Sequence, residues 1–314
     1  VDGLPGGAEP AGFETWAGFS VIGTLSFVLG FAMNYGSICT FIATTELVSE
    51  RRPARFLALA ECAVWAAVGY IVLDTLPTMH AGWSPLLHMV SAAILFGVGV
   101  YVNGACIFGS VGHFGNGDLE FGFTFLGILV ILALDFALEF RPASMPISAA
   151  PPLELGALLV VLSAFLFLRL GVSFKSETNF RRLTLAMGTI GITSATLSEF
   201  APRFSITTSI GSMLSIPVTS SLIFVCMFAG SLVSARIRGH RFSLTWPTRG
   251  SVSRRITGGI LMGFGALLIP GGNDTLLLVG LPMGAWQALL AYFLMVAALA
   301  GLIVRFGSAA RSWS

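Results

Sequence analysis

Two of the four cysteines, Cys39 in "GSICTF" and Cys106 in "NGACIFGSVGHFGNGD", stand where long apolar runs give way to glycine and polar residues. A thiol is small, polarizable and a weak hydrogen-bond donor, so at such a place it suits a soft sulfur atom. Glycines beside it, Gly104 and Gly109 among them, let the chain turn sharply and present amide hydrogens, which suit an anion. The chemistry expected of this set is recognition of a sulfur-containing anion. His113, in the same stretch, could bind the anion or pass a proton, although a loop histidine bonded to backbone is the commoner case. A related stretch, "PGGND", adds Gly271, Gly272 and Asn273, and "SITT" adds Thr207. The glycines could equally serve close helix packing. Asp118 and Asp274 do not suit an anion site and are expected to cap short helices or bond loop amides. Cys62 and Cys226 fall within apolar runs and read as packing residues. With no CxxC spacing and no cysteine–histidine cluster, neither a metal site, a cofactor nor a disulfide framework is expected.

The elements that must position these residues are membrane helices. At 55% hydrophobic and 10% charged, the chain cannot cover itself with polar surface as a soluble domain does. It reads as an all-α polytopic membrane protein with no soluble domain and no nucleic-acid partner. Apolar runs near the ~20 residues needed to cross a bilayer lie at about 14–34, 54–75, 86–103, 120–140, 152–170, 182–200, 217–236, 255–270 and 284–305. Four intervening segments, Gly36–Glu50, Gly104–Leu119, Ser205–Ile216 and Gly271–Leu281, are too short or too polar to cross and are expected to be re-entrant loops. Residues 1–13 form a polar lead without the basic start of a signal peptide, and 307–314 a short tail around one membrane domain, 14–306.

If nine spans alternate, one side receives Arg51, Arg52, Arg55, Arg169, Lys175, Arg181, Arg182, Arg236, Arg238, Arg241, Arg249, Arg254, Arg255, Arg305 and Arg311, and the other only Arg141 and Arg203. The positive-inside tendency makes the first side cytoplasmic, with the N-terminus outside and the C-terminus inside. "GVGVYVNGAC" (97–106) also aligns without a gap to "GFGALLIPGG" (263–272), and "SICT" (37–40) to "SITT" (205–208). Two four-span repeats, about 14–140 and 182–306, joined by a single span at 152–170, must enter the membrane from opposite sides, which makes them inverted repeats. Glu61 and Asp135 are ionisable residues within spans and so candidates for proton linkage or for structural hydrogen bonding.

At "GFAMNYGSICTFIATTELVSERRPARF", "GVGVYVNGACIFGSVGHFGNGD" and "GGILMGFGALLIPGGNDT", the chain resembles the YeeE/YedE family of membrane proteins, whose characterised branch transports thiosulfate. The resemblance covers nearly the whole chain. It implies uptake of thiosulfate across the inner membrane, with the motif cysteines Cys39 and Cys106 contacting the ion through S–H hydrogen bonds. The family pattern has another cysteine after "GGILMGFGALL", where this chain has Gly272. A sensor or assembly partner, signalling through the basic 237–255 loop to a cytoplasmic protein, is the second reading. A membrane thiol enzyme such as a sulfurtransferase is the third, and it lacks the paired thiol and base such chemistry needs. Net uptake would be completed by a cytoplasmic sulfurtransferase-like protein consuming the ion.

Overall fold

In the computed structural model, residues 16–74, 84–138, 155–173, 180–201, 204–239, 244–269 and 271–307 are described, with the side chains between 155 and 173 described over 160–171. The polar lead, the tail beyond Gly307, and Arg141, Lys175, Arg203, Arg241 and Arg311 of the charge count lie outside the described residues. The described chain is helical, and its one β feature is an isolated bridge between Asp118 and Thr245.

A long helix followed by a break and a short helix is the recurring unit. The first half runs α1 (Trp16–Gly36), α2 (Thr40–Ser49), α3 (Ala54–Val72), α4 (Leu86–Asn103), α5 (Ile107–Asn116) and α6 (Gly122–Leu138). After α7 (Leu155–Ser173), the second half runs α8 (Phe180–Phe200), α9 (Ile206–Ser212), α10 (Pro217–Ile237), α11 (Arg249–Leu268), α12 (Asn273–Thr275), which continues as a π-helical turn (Leu276–Gly280), and α13 (Trp286–Phe306). A helix therefore lies over each of the nine stretches expected to cross the membrane. Six candidate spans are long and apolar enough to do so: Trp16–Ser49, Ala54–Val72, Leu86–Asn116, Leu119–Leu138, Pro217–Ile237 and Trp286–Phe306. A seventh is added if α11 and its bent continuation are one span. Of the other two helices, α8 carries Arg181, Arg182 and many hydroxyl residues, which lower its hydropathy, and α7 is apolar over the residues whose side chains are described, Val160–Gly171. The four segments expected as loops are breaks of a few residues, each followed by a short helix rather than by irregular backbone.

The long helices pack α1 on α8 and α10, α3 on α8 and α7, and α4 on α11 and α13, with α6 on α11. Glycine permits the closest of these contacts. A Cβ on Gly30 would lie 1.9 Å from the Met227 carbonyl oxygen, and one on Gly230 would lie 1.9 Å from that of Phe27, so α1 and α10 touch backbone to backbone. Side-chain bonds also join the helix ends at one face: Arg55 at the start of α3, Arg182 at the start of α8 and Arg238 after α10 all reach the end of α1. At the same face Arg255 of α11 pairs with Glu120 before α6, and Tyr101 of α4 reaches Gly307 after α13.

Candidate functional site

Each break ends in a residue of extended backbone that opens the next short helix: Cys39 (φ −155°, ψ 124°), Cys106 (φ −79°, ψ −179°), Ser205 (φ −146°, ψ 162°) and Gly272 (φ −89°, ψ −166°). Gly104 and Gly271 make the turns into two of them at φ +74° and φ +97°, a left-handed backbone where glycine is the residue without penalty. The matching of "SICT" with "SITT" is off by two residues: by helix start, Cys39 corresponds to Ser205, not to Thr207. The similar letters reflect composition, whereas the opening of the helix fixes the correspondence. Cys106 and Gly272 each open a short helix that follows a left-handed glycine turn.

The four breaks meet at the centre. Cys39 and Cys106, 3% and 0% exposed, lie side by side, and Cys106 Sγ accepts the Thr40 N–H at 3.2 Å. Gly109 lets them meet, since a Cβ built there would lie 2.4 Å from Cys39 Sγ. On the other side, the Thr207 N–H and hydroxyl donate to the two oxygens of Asp274 at 3.0 and 2.7 Å, and the Thr275 hydroxyl donates to Ser205 Oγ at 2.7 Å. Asp274 thus accepts from the first turn of the short helix α9, the capping role that was one of the two expected of it. Asn273 Nδ2 crosses from this group to Thr40 Oγ1 at 3.3 Å, linking the two. Asn273 Oδ1 is buried here without a hydrogen-bond partner, and the buried Tyr292 hydroxyl faces Thr40. Buried polar groups without partners are costly, so Asn273 Oδ1 stands here as an acceptor with unused capacity.

Other expected residues stand elsewhere. His113 lies in the last turn of α5, stacked 4.4 Å from the Phe121 ring and bonded to Asp118 Oδ2 at 3.0 Å, so it is not brought to the thiols. Glu61 is buried in an ion pair with Arg169 of α7 and accepts the Trp65 indole N–H at 3.0 Å. Arg169 is therefore a buried partner, not one of a face's free cations. Asp135 is half-buried in the last turn of α6. Among the described residues, no three of His, Cys, Asp and Glu gather as a metal would require.

Sequence reasoning missed Thr40, Ser205, Thr275 and Tyr292. It also missed Asn103, which stitches the second break by donating to Ala105 O at 2.7 Å and Ser110 Oγ at 3.0 Å while accepting from Thr124 at 2.7 Å. A polar residue inside an apolar helix, as Asn103 and Tyr292 are, was the available signal. The arrangement offers two thiols, a phenol and threonine hydroxyls around one enclosed point, a donor-rich set suited to oxygen and sulfur acceptors.

A family model described as sulphur transport matches residues 35–140 and 144–301. No curated protein matches the chain.

Proposed function

The chain belongs to the YeeE/YedE sulphur transport family, and from that premise we propose that it carries thiosulfate or a closely related sulfur anion across the inner membrane through the central thiol site. The observation that carries this reading is the meeting of Cys39 and Cys106, buried and side by side, at the openings of two short helices. A packing cysteine needs no such partner. Thiol hydrogens reach the terminal sulfur of the ion, and the hydroxyls of Thr40 and Tyr292 with nearby amides reach its oxygens. Gly104 and Gly271 shape the turns, Gly109 leaves room for the thiols, and Gly272, Asn273 and Thr207 complete the wall.

In this reading nine helices cross the membrane as two inverted repeats around α7. Packing supports it: exchanging α1, α3, α4 and α6 for α8, α10, α11 and α13 turns α1 on α10 into α8 on α3, and α6 on α11 into α13 on α4, and all of these contacts exist. The gathering of arginine-bearing helix ends on one face supports a cytoplasmic assignment for that face, with the N-terminus outside.

Carrying a dianion inward against an inside-negative potential costs about 4.6 kcal/mol per 100 mV for its two charges. Entry is therefore facilitated and drawn by consumption of the ion inside, by a cytoplasmic sulfurtransferase-like enzyme. Glu61 is committed to Arg169 and is poorly placed to carry protons. Uptake of radiolabelled thiosulfate into vesicles, with sulfate, sulfite and selenate as competitors, tests the proposal. Saturable uptake blocked best by sulfur anions with a terminal sulfur is expected. No uptake, with thiosulfate still bound, would favour the sensor reading. Strong stimulation by a proton gradient that is lost in Glu61→Gln would overturn the uncoupled mechanism.

A further inference from the structure

The centre offers hydrogen-bond donors on one side and an unused acceptor on the other. Thr40 links the two: its N–H donates to Cys106 Sγ at 3.2 Å, while its hydroxyl accepts from Asn273 Nδ2 at 3.3 Å and is faced by Tyr292. Asn273 opens α12 after the left-handed turn at Gly271, and its side chain is fully buried. Its Nδ2 has an acceptor, and its Oδ1 has no donor. The next residue, Asp274, is a buried carboxyl whose two oxygens both accept from Thr207.

An anion without a hydrogen can use the thiols and hydroxyls here, but it leaves Asn273 Oδ1 a buried acceptor without a donor. If it is a dianion, it also sets two negative charges near the Asp274 carboxyl. A monoanion that carries a hydrogen is better matched on both counts. Its acceptor atoms take the thiol and hydroxyl hydrogens, its own hydrogen goes to Oδ1, and it brings half the charge. A buried polar group left half-satisfied is costly, so the match decides between ions that are otherwise alike. A single charge also halves the electrical cost of moving inward against an inside-negative potential.

We propose that Asn273 selects the protonation state of the substrate. Its side-chain oxygen accepts from a hydrogen-bearing sulfur monoanion, of which hydrosulfide and hydrogensulfite are the simplest, and the site prefers that form to the hydrogen-free dianion. This narrows the proposed function and rests on the thiol centre being its site.

Sulfite tests it, because one ion passes from hydrogensulfite to the hydrogen-free dianion as pH rises through neutrality, while thiosulfate keeps both its charges. The affinity of the purified full chain for each is measured by calorimetry across that range. Asp274 beside Asn273, Cys39 and Cys106 beyond Thr40, and Tyr292 with Cys62 near it are the titratable groups here; α9 and the π-helical turn add none, and His113 stands at the far end of α5. Titration among them acts on both ions, so the ratio of sulfite to thiosulfate affinity reports the proton on the ligand. That ratio should fall by roughly tenfold or more from the acid to the alkaline end, the worth of one hydrogen bond to a charged partner. It should fall much less in Asn273→Leu, or in Asn273→Ala where the larger side chain does not fit. A level or rising ratio in the parent would overturn the proposal. So would a fall in both variants equal to the parent's, which would assign the preference to charge alone. A variant that loses more thiosulfate than hydrogensulfite affinity would also overturn it, since the amide would then be a donor to the ion. Thiosulfate bound with a level ratio would end this inference and leave the proposed function standing. Sulfite bound with the expected profile, and thiosulfate not bound, would uphold the inference and end the thiosulfate reading.

Discussion

The two halves of the chain close their broken helices with different chemistry. In the first, Cys106 Sγ accepts an amide hydrogen from the start of α2. In the second, Asp274 accepts one from the start of α9, together with the Thr207 hydroxyl. The acceptors differ: one is the neutral, polarizable thiol that opens α5, and the other is a carboxyl within α12, two residues past its opening. A carboxylate already occupies the donors that an anion would seek, whereas a thiol is both a weak acceptor and a donor that can turn to a ligand. The comparison teaches that a buried carboxyl already fills the acceptor role in the second half, whereas under the proposed function the thiol of the first half turns to a foreign anion.

The largest effect expected from breaking that contrast is on the second half. Asp274→Ala removes the acceptor from a buried N–H and a buried hydroxyl, and leaving such groups unmade costs about 1–3 kcal/mol, more when the lost partner is charged. We expect the purified protein to lose on the order of 3 kcal/mol in detergent unfolding, with Asp274→Asn less affected because it keeps one acceptor oxygen. Parent-like stability with thiosulfate binding lost would instead make Asp274 part of the substrate chemistry. Cys106→Ala is the counterpart in the first half. Loss of a hydrogen bond to a charged ligand costs about 1.5–3 kcal/mol, or ten- to a hundredfold in affinity, while leaving the buried Thr40 N–H without its acceptor should lower the melting temperature by less than Asp274→Ala does, since a single weak acceptor is lost. Cys39→Ala should weaken binding less, and Cys62→Ala and Cys226→Ala should leave it near normal; unchanged thiosulfate binding by Cys106→Ala would end the thiol reading.

Gly272→Cys sharpens the comparison by placing the family's cysteine in the second half. Its backbone, φ −89°, accepts any residue. Space does not: a Cβ there would lie 2.5 Å from Thr207 Oγ1, 2.6 Å from Ile107 Cδ1 and 2.7 Å from Asp274 Oδ1. Those atoms end side chains that can shift, so the expected cost is that of overpacking, about 1–3 kcal/mol, read as a lower midpoint in thermal unfolding. A variant as stable as the parent would show that the Asp274–Thr207 clasp yields easily, and that the two halves differ less than their contacts suggest.

Much of this was legible in the chain because hydropathy and glycine act locally. The apolar runs located the long helices, and Gly104 and Gly271 marked turns that need their freedom. What was not legible depends on partners far apart in sequence: Asp274 with Thr207, Glu61 with Arg169, and three arginines on the end of α1. His113 illustrates the limit from the other side. It is seven residues from Cys106 in "CIFGSVGH", yet a helix of that length carries it roughly 10 Å along the axis, out of the site that its neighbour helps to form.

The smallest effect is expected at that outer end, where the stretch holding Cys106 turns from chemistry to anchorage. Asp118 accepts the Thr245 hydroxyl at 2.8 Å and bonds His113, while the Thr245 N–H reaches the Gly117 carbonyl at 3.2 Å, clipping the segment before α11 to the end of α5. Burial alone would raise the Asp118 carboxyl, but its hydrogen bonds from His113 and Thr245, with the charges of His113 and Arg255, outweigh that and hold it below the usual carboxylate range. A depressed folded value means that the stabilisation is present above the ordinary aspartate value of about 3.9 and is lost as pH falls through the lower folded value. The group is a third exposed, so the effect is screened. Asp118→Asn should therefore lower the melting temperature by only ~1–2 °C at pH 6, with the gap closing as the pH is brought below 3.9. Thiosulfate affinity should not change. A drop in affinity comparable to that of Cys106→Ala would mean that the outer clip and the inner thiols work as one unit, and that the division between them is drawn in the wrong place.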